Sequence, residues 1–94
     1  MRLQQKVVLV TAATRGIGLA CVKACAKEGA QVYLAARDLA RAGEVVRQLS
    51  RESLLVHPVF CDASLPDSFS SAVEDVVSDA GRIDVLINNF GTSD

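Results

Sequence analysis

Histidine occurs once in the 94 residues and cysteine three times. His57 alone cannot complete a metal site, and Cys21 and Cys25, four apart, form neither a redox Cys-x-x-Cys nor a zinc pair with partners downstream. With Cys61 they make an odd set, and reduced thiols fit the cytoplasm. Cys21 and Cys25 fall on the small-residue face of a predicted helix, where free cysteine most often packs. No apolar run approaches the roughly 18 residues of a membrane helix, because charged residues interrupt every hydrophobic segment. The opening MRLQQKVVLV has no small-residue cleavage site and runs straight into a glycine loop, so it is not read as a signal peptide. Neither sign of charge dominates: the net charge is -1 and nothing suggests a polyanion such as nucleic acid as partner. Linkers, repeats and low-complexity tracts are also missing. These absences leave a cytoplasmic chain able to bury a core, half of it hydrophobic, and long enough for one small domain or one half of a larger one.

Apolar runs and amphipathic segments alternate from end to end, which predicts an α/β fold with a parallel sheet. KVVLVT (6–11) is a continuous β-branched run, the mark of a strand buried on both faces. A helix follows, with Ile17, Ala20, Cys21, Ala24 and Cys25 as its expected core stripe and Gly29 as its stop. QVYLAA (31–36) is the second strand, and Asp38 can cap a helix with Leu39, Ala42, Val46 and Leu49 inward. LLVHPVF (54–60) reads as a third strand, which Pro58 assigns to a sheet edge because it has no amide to donate. A third helix opens with cap-like Ser64, runs through Phe69, Val73, Val76 and Val77, and ends at Gly81; IDVLINN (83–89) is the fourth strand. The order βαβαβαβ, wound by right-handed crossovers, gives a Rossmann-type doubly wound parallel sheet with strand order 3-2-1-4. Ligands bind such sheets beyond the carboxyl ends of the strands at the switch point, here between strands one and four. Strand four is expected to carry a hydrophobic edge.

TAATRGIG (11–18) and NNFG (88–91) both arrive at that switch point. The first lies between a buried strand and a helix, where unsatisfied amides, the positive end of the helix dipole and the close approach allowed by Gly16 and Gly18 suit a pyrophosphate. Ala12 stands where a dinucleotide fingerprint normally has glycine, and a methyl group is the smallest addition possible. Twenty residues after Gly16 comes Ala36, then Arg37. An acid there would hold the ribose hydroxyls of NAD, whereas arginine accommodates the extra phosphate of NADP. One arginine could be ordinary surface; Arg15 and Arg37 converging on one phosphate position favour NADP.

The spacing Thr11-Ala12-x-x-x-Gly16-Ile17-Gly18 resembles the TGxxxGIG loop of the short-chain dehydrogenase/reductase family. Asn88-Asn89-Phe90-Gly91 resembles that family's NNAG element, and Asp62-Ala63 its adenine-contacting Asp-Val. Ala12 and Phe90 depart from the pattern. The resemblance covers essentially the whole chain and implies cofactor contacts at Thr11, Thr14, Arg15, Gly16, Ile17 and Gly18 in the loop. At the later strand ends it implies Arg37, Asp62, Ala63, Asn89 and Gly91. It also implies catalysis by a Ser and a Tyr-x-x-x-Lys pair, in which the lysine lowers the tyrosine pKa. The one tyrosine, Tyr33, lies in strand two with Arg37 four later, so the catalytic pair is expected beyond Asp94 and no catalytic residue is assigned within the chain. Residues 1–94 are therefore expected to be the N-terminal NADP-binding part of a longer enzyme, inactive alone. Within the family, VTxATRGIG, VYLAAR and GRIDVLINNFGTS are similar to the bacterial NADP-dependent 7α-hydroxysteroid dehydrogenases, which implies a bile-acid or other steroid substrate and a homo-oligomeric full-length enzyme. The alternatives are a 3-oxoacyl carrier-protein reductase and, from another class, a non-catalytic module that only binds nucleotide.

Overall fold

A computed structural model of the chain describes residues 4–11, 16–62 and 64–88. Seven elements alternate along it: β1 (Val7–Thr11), α1 (Gly16–Lys27), β2 (Gln31–Ala36), α2 (Leu39–Ser50), β3 (Val56–Phe60), α3 (Ser68–Ala80) and β4 (Val85–Ile87). The strands form one parallel sheet in the order β3-β2-β1-β4, as the crossover rule requires. Pro58 accordingly lies on the edge strand β3, opposite Leu34.

Alternation along the strands divides the core in two. On one face Val8, Val10, Val32, Leu34 and Val56 pack beneath α1 and α2, which contribute Val22, Ala26, Ala42, Val45 and Leu49. On the other, Val7, Leu9, Tyr33, Ala35 and Val59 pack beneath α3, through Ala72 and Val76. The all-buried pattern of β1 follows from having a layer on both sides. β4 is the exception: Val85 and Leu86 are 36% and 46% exposed, and among the described residues β4 pairs only with β1.

Three helix faces depart from the expected stripes. On α1 the buried residues are Gly18, Val22 and Ala26, flanked by half-buried Leu19, Cys21 and Cys25, while Ile17 is 67% exposed and Ala20 and Ala24 face water. A helix rich in small apolar residues carries little contrast between its faces, and buried Gly18 has no side chain to mark the inward face. On α2, Val45 takes a buried place and Leu39, beside the cap, is exposed. α3 begins at Ser68, four residues after the expected cap Ser64, because Ser64 closes a turn on Asp62 instead. Val77 on α3 is exposed rather than inward. β3 and β4 are shorter than their apolar runs, starting at Val56 and spanning Val85–Ile87.

Candidate functional site: the carboxyl ends of the strands

The sheet places Thr11, Arg37, Asp62 and Asn88 just at or beyond the carboxyl ends of β1, β2, β3 and β4. At the switch point Thr11 is fully buried, and its hydroxyl donates to the Asn88 side-chain oxygen at 3.1 Å. This contact ties the last residue of β1 to the first residue after β4. It makes Asn88 a brace across the crevice.

α1 starts at Gly16, whose φ of 63° lies in the left-handed region that a side chain would strain. No acidic side chain occupies its first turn, so the positive end of the helix dipole is not neutralised from within. Gly18 is buried and Ile17 is exposed. The helix thus begins with the unsatisfied first-turn amides and uncompensated dipole that an anion site uses.

At the end of β2, Asp38 caps α2 by accepting the Arg41 amide at 3.1 Å. The acid next to Arg37 in sequence is therefore committed to the helix. Arg37 is exposed and makes no hydrogen bond or ion pair among the described residues. Across from it, Asp62 is held by Ser64, whose hydroxyl and amide donate to one carboxylate oxygen at 2.7 and 2.9 Å. Those two bonds keep the Asp62 carboxyl below its ordinary range, with Arg37 adding a smaller pull. The Asp62 amide donates to the buried Ser68 hydroxyl at 2.7 Å, fastening the end of β3 to the first turn of α3.

Of the residues expected from sequence at the cofactor site, the structure brings Thr11, Gly16, Ile17, Gly18, Arg37 and Asp62 to this one end of the sheet. Thr14, Arg15, Ala63, Asn89 and Gly91, with the departures Ala12 and Phe90, lie outside the described residues. Sequence reasoning missed the supporting hydroxyls. Asp62-x-Ser64 has the spacing of an Asx turn and was legible in principle; Ser68, inside a polar stretch, carried no signal.

Tyr33 is not part of this end. Its hydroxyl donates to Asp79 in the last turn of α3 and accepts from the Gln31 side chain at 2.9 Å. Its ring lies 5.0 Å from that of His57. Burial first, then the Asp79 carboxylate, push the phenol up to about 12, the opposite of what an acid-base tyrosine needs. What the site can do is hold an anion at α1 and a second near Arg37, with Asp62 available to a hydrogen-bond donor. These donors and acceptors fit a dinucleotide.

The comparisons agree with that geometry. The family model for short chain dehydrogenases matches residues 6–94. The 7α-hydroxysteroid dehydrogenases of Clostridium sardiniense and Paraclostridium sordellii are 46% and 43% identical over 96% and 97% of this chain and 34% of each relative. A putative ketoacyl reductase of the granaticin polyketide synthase from Streptomyces violaceoruber is 40% identical over 93% of this chain and 32% of its own length. A metagenomic short-chain oxidoreductase solved in complex with NADP superposes with a TM-score of 0.89 at 35% identity, over 98% of this chain and 42% of that one. The chain spans about a third of the length of the curated relatives it matches. With its strand order and its residues 6–94 in agreement, the chain belongs to the short-chain dehydrogenase family.

Proposed function

We propose that residues 1–94 are the NADP-binding part of a cytoplasmic, homo-oligomeric oxidoreductase that oxidises a steroid hydroxyl, the 7α-hydroxyl of a bile acid. The observation that carries the coenzyme reading is Arg37, exposed and unpaired among the described residues, at the end of β2 where an NAD enzyme would hold an acid. In this reading Thr11, Thr14, Arg15, Gly16, Ile17 and Gly18 line the pyrophosphate, and Arg37 with Arg15 receives the ribose phosphate. Asp62 and Ala63 border the adenine, and Asn89 and Gly91 approach the nicotinamide. NADP when bound supplies the hydride acceptor; the chain's own residues bind it, orient it and exclude water. The proton chemistry falls to a Ser and a Tyr-x-x-x-Lys pair outside these residues.

Identity of 43% and 46% to two 7α-hydroxysteroid dehydrogenases supports the substrate class. The ketoacyl reductase relative at 40% supports a 3-oxoacyl thioester as second reading. Turnover by a full-length protein carrying this sequence separates them. Chenodeoxycholate with NADP should be turned over with a higher kcat/KM than acetoacetyl thioester with NADPH, and the reverse order would overturn the steroid reading.

A further inference from the structure

The thiols of α1 take no part in the coenzyme site. Cys21 and Cys25 lie four residues apart on the helix, each half-buried, both packed at the border of the cluster formed by Val8, Val22 and Ala26. Side chains four apart on a helix share a face, with Cβ atoms about 5–6 Å from one another. A disulfide needs that distance to be about 3.5–4.5 Å, so direct S–S closure would require the helix to distort. One interposed atom removes the mismatch. Zinc does not suit the pair: structural zinc takes four ligands, and among the described residues no group of three or more His, Cys, Asp or Glu side chains could hold a metal. The matching chemistry is a soft, thiophilic centre satisfied by two sulfurs.

We propose that Cys21 and Cys25 form a dithiol clip that binds one monosubstituted trivalent arsenical across successive turns of α1. With an arsenoxide R–As=O, two S–H bonds and the As=O bond break and two As–S bonds form. The two thiol protons leave with the oxygen as one water, and neither arsenic nor sulfur changes oxidation state. Burial, and then the neighbouring Cys21, push the Cys25 thiol up, so adduct formation quickens as pH rises. A staple that fits the spacing of successive helical turns better than it fits the unfolded chain stabilises the fold by that difference in affinity. Cys61 lies in the other core layer, buried against α3, and contributes nothing to the clip.

The test treats the chain with phenylarsine oxide and follows its intact mass. The expected product carries one phenylarsenic group, survives excess monothiol, is stripped by a dithiol and melts at higher temperature than the free chain. Trypsin, cutting after Arg15, Lys23 and Lys27, should leave peptides 16–23 and 24–27 joined through arsenic. Cys21→Ser and Cys25→Ser should each abolish monothiol-resistant uptake, and Cys61→Ser should not. An adduct that monothiol removes, the absence of any adduct, or equal uptake by Cys25→Ser would overturn the proposal. So would a Cys21–Cys25 disulfide formed with glutathione disulfide. The peptide mapping uses the unaltered chain, so a variant that fails to fold does not remove the test.

Discussion

Val7 opens β1 and is held at both of its backbone groups by Asp84: its amide donates to the Asp84 carboxylate at 2.8 Å and its carbonyl accepts the Asp84 amide at 2.9 Å. Arg82 donates to the same carboxylate oxygen at 2.9 Å and also reaches the Gln5 carbonyl. The Val7 amide, followed by Arg82, keeps the Asp84 carboxyl below its ordinary range. A carboxyl depressed by folding contributes stability that is fully present above its unfolded pKa and is lost as pH falls through its folded pKa. Asp84→Asn keeps an oxygen for Val7 but removes the charge. The variant should be less stable than the parent at neutral pH in urea denaturation, and the gap should close as the solution is acidified. A gap unchanged by acid would mean that the charge does not matter. GRID thus has a mechanical explanation: Gly81 ends a helix, Arg82 and Asp84 start two strands.

At the level of elements, two glycines that look alike in sequence should respond to alanine with opposite sign. Gly43 lies within α2, and a Cβ added there meets nothing within 4 Å. Gly43→Ala should stabilise the chain by about 1 kcal/mol through helix propensity. Gly81 also has open space around it, but its φ of 89° ends α3 in the left-handed region, with its amide on the Val77 carbonyl at 2.8 Å. Gly81→Ala should cost about 1 kcal/mol, the left-handed penalty less the entropy removed from the unfolded chain. Chemical denaturation of both variants checks the pair; the same sign at both would contradict the backbone argument. Gly81 as a helix stop and QVYLAA as a strand were legible in sequence, because each rests on strong local signals. Helix faces were less so. Alanine, cysteine and glycine on α1 give a weak periodic contrast, and only the sheet decides that Gly18, Val22 and Ala26 turn inward. The delayed start of α3 was hidden because Ser64 is equally suited to a cap and to the Asx turn it makes on Asp62.

For the molecule as a whole, winding α1 and α2 over one face and α3 over the other creates the crevice between β1 and β4. The order of alternating runs and the edge position of Pro58 were sufficient to place that crevice from sequence. The same reading located Gly16 and Arg37 there, since their distance from strand ends is a local property, whereas Asp62 was placed there by the family resemblance. The resemblance to the NNAG element implies that Asn88 braces the sheet, but its partner Thr11, 77 residues away, and the Ser68 anchor depend on tertiary approach and follow from no local signal. In the proposed function this crevice holds NADP and Arg37 reads its phosphate; the decisive experiment is isothermal titration of the chain with NADPH and with NADH, repeated with Arg37→Ala. NADPH should bind more tightly than NADH, and Arg37→Ala should weaken NADPH by about tenfold or more, the worth of a charge-assisted contact, while leaving NADH unchanged. Equal affinity for the two coenzymes, or an equal loss of both in the variant, would contradict it.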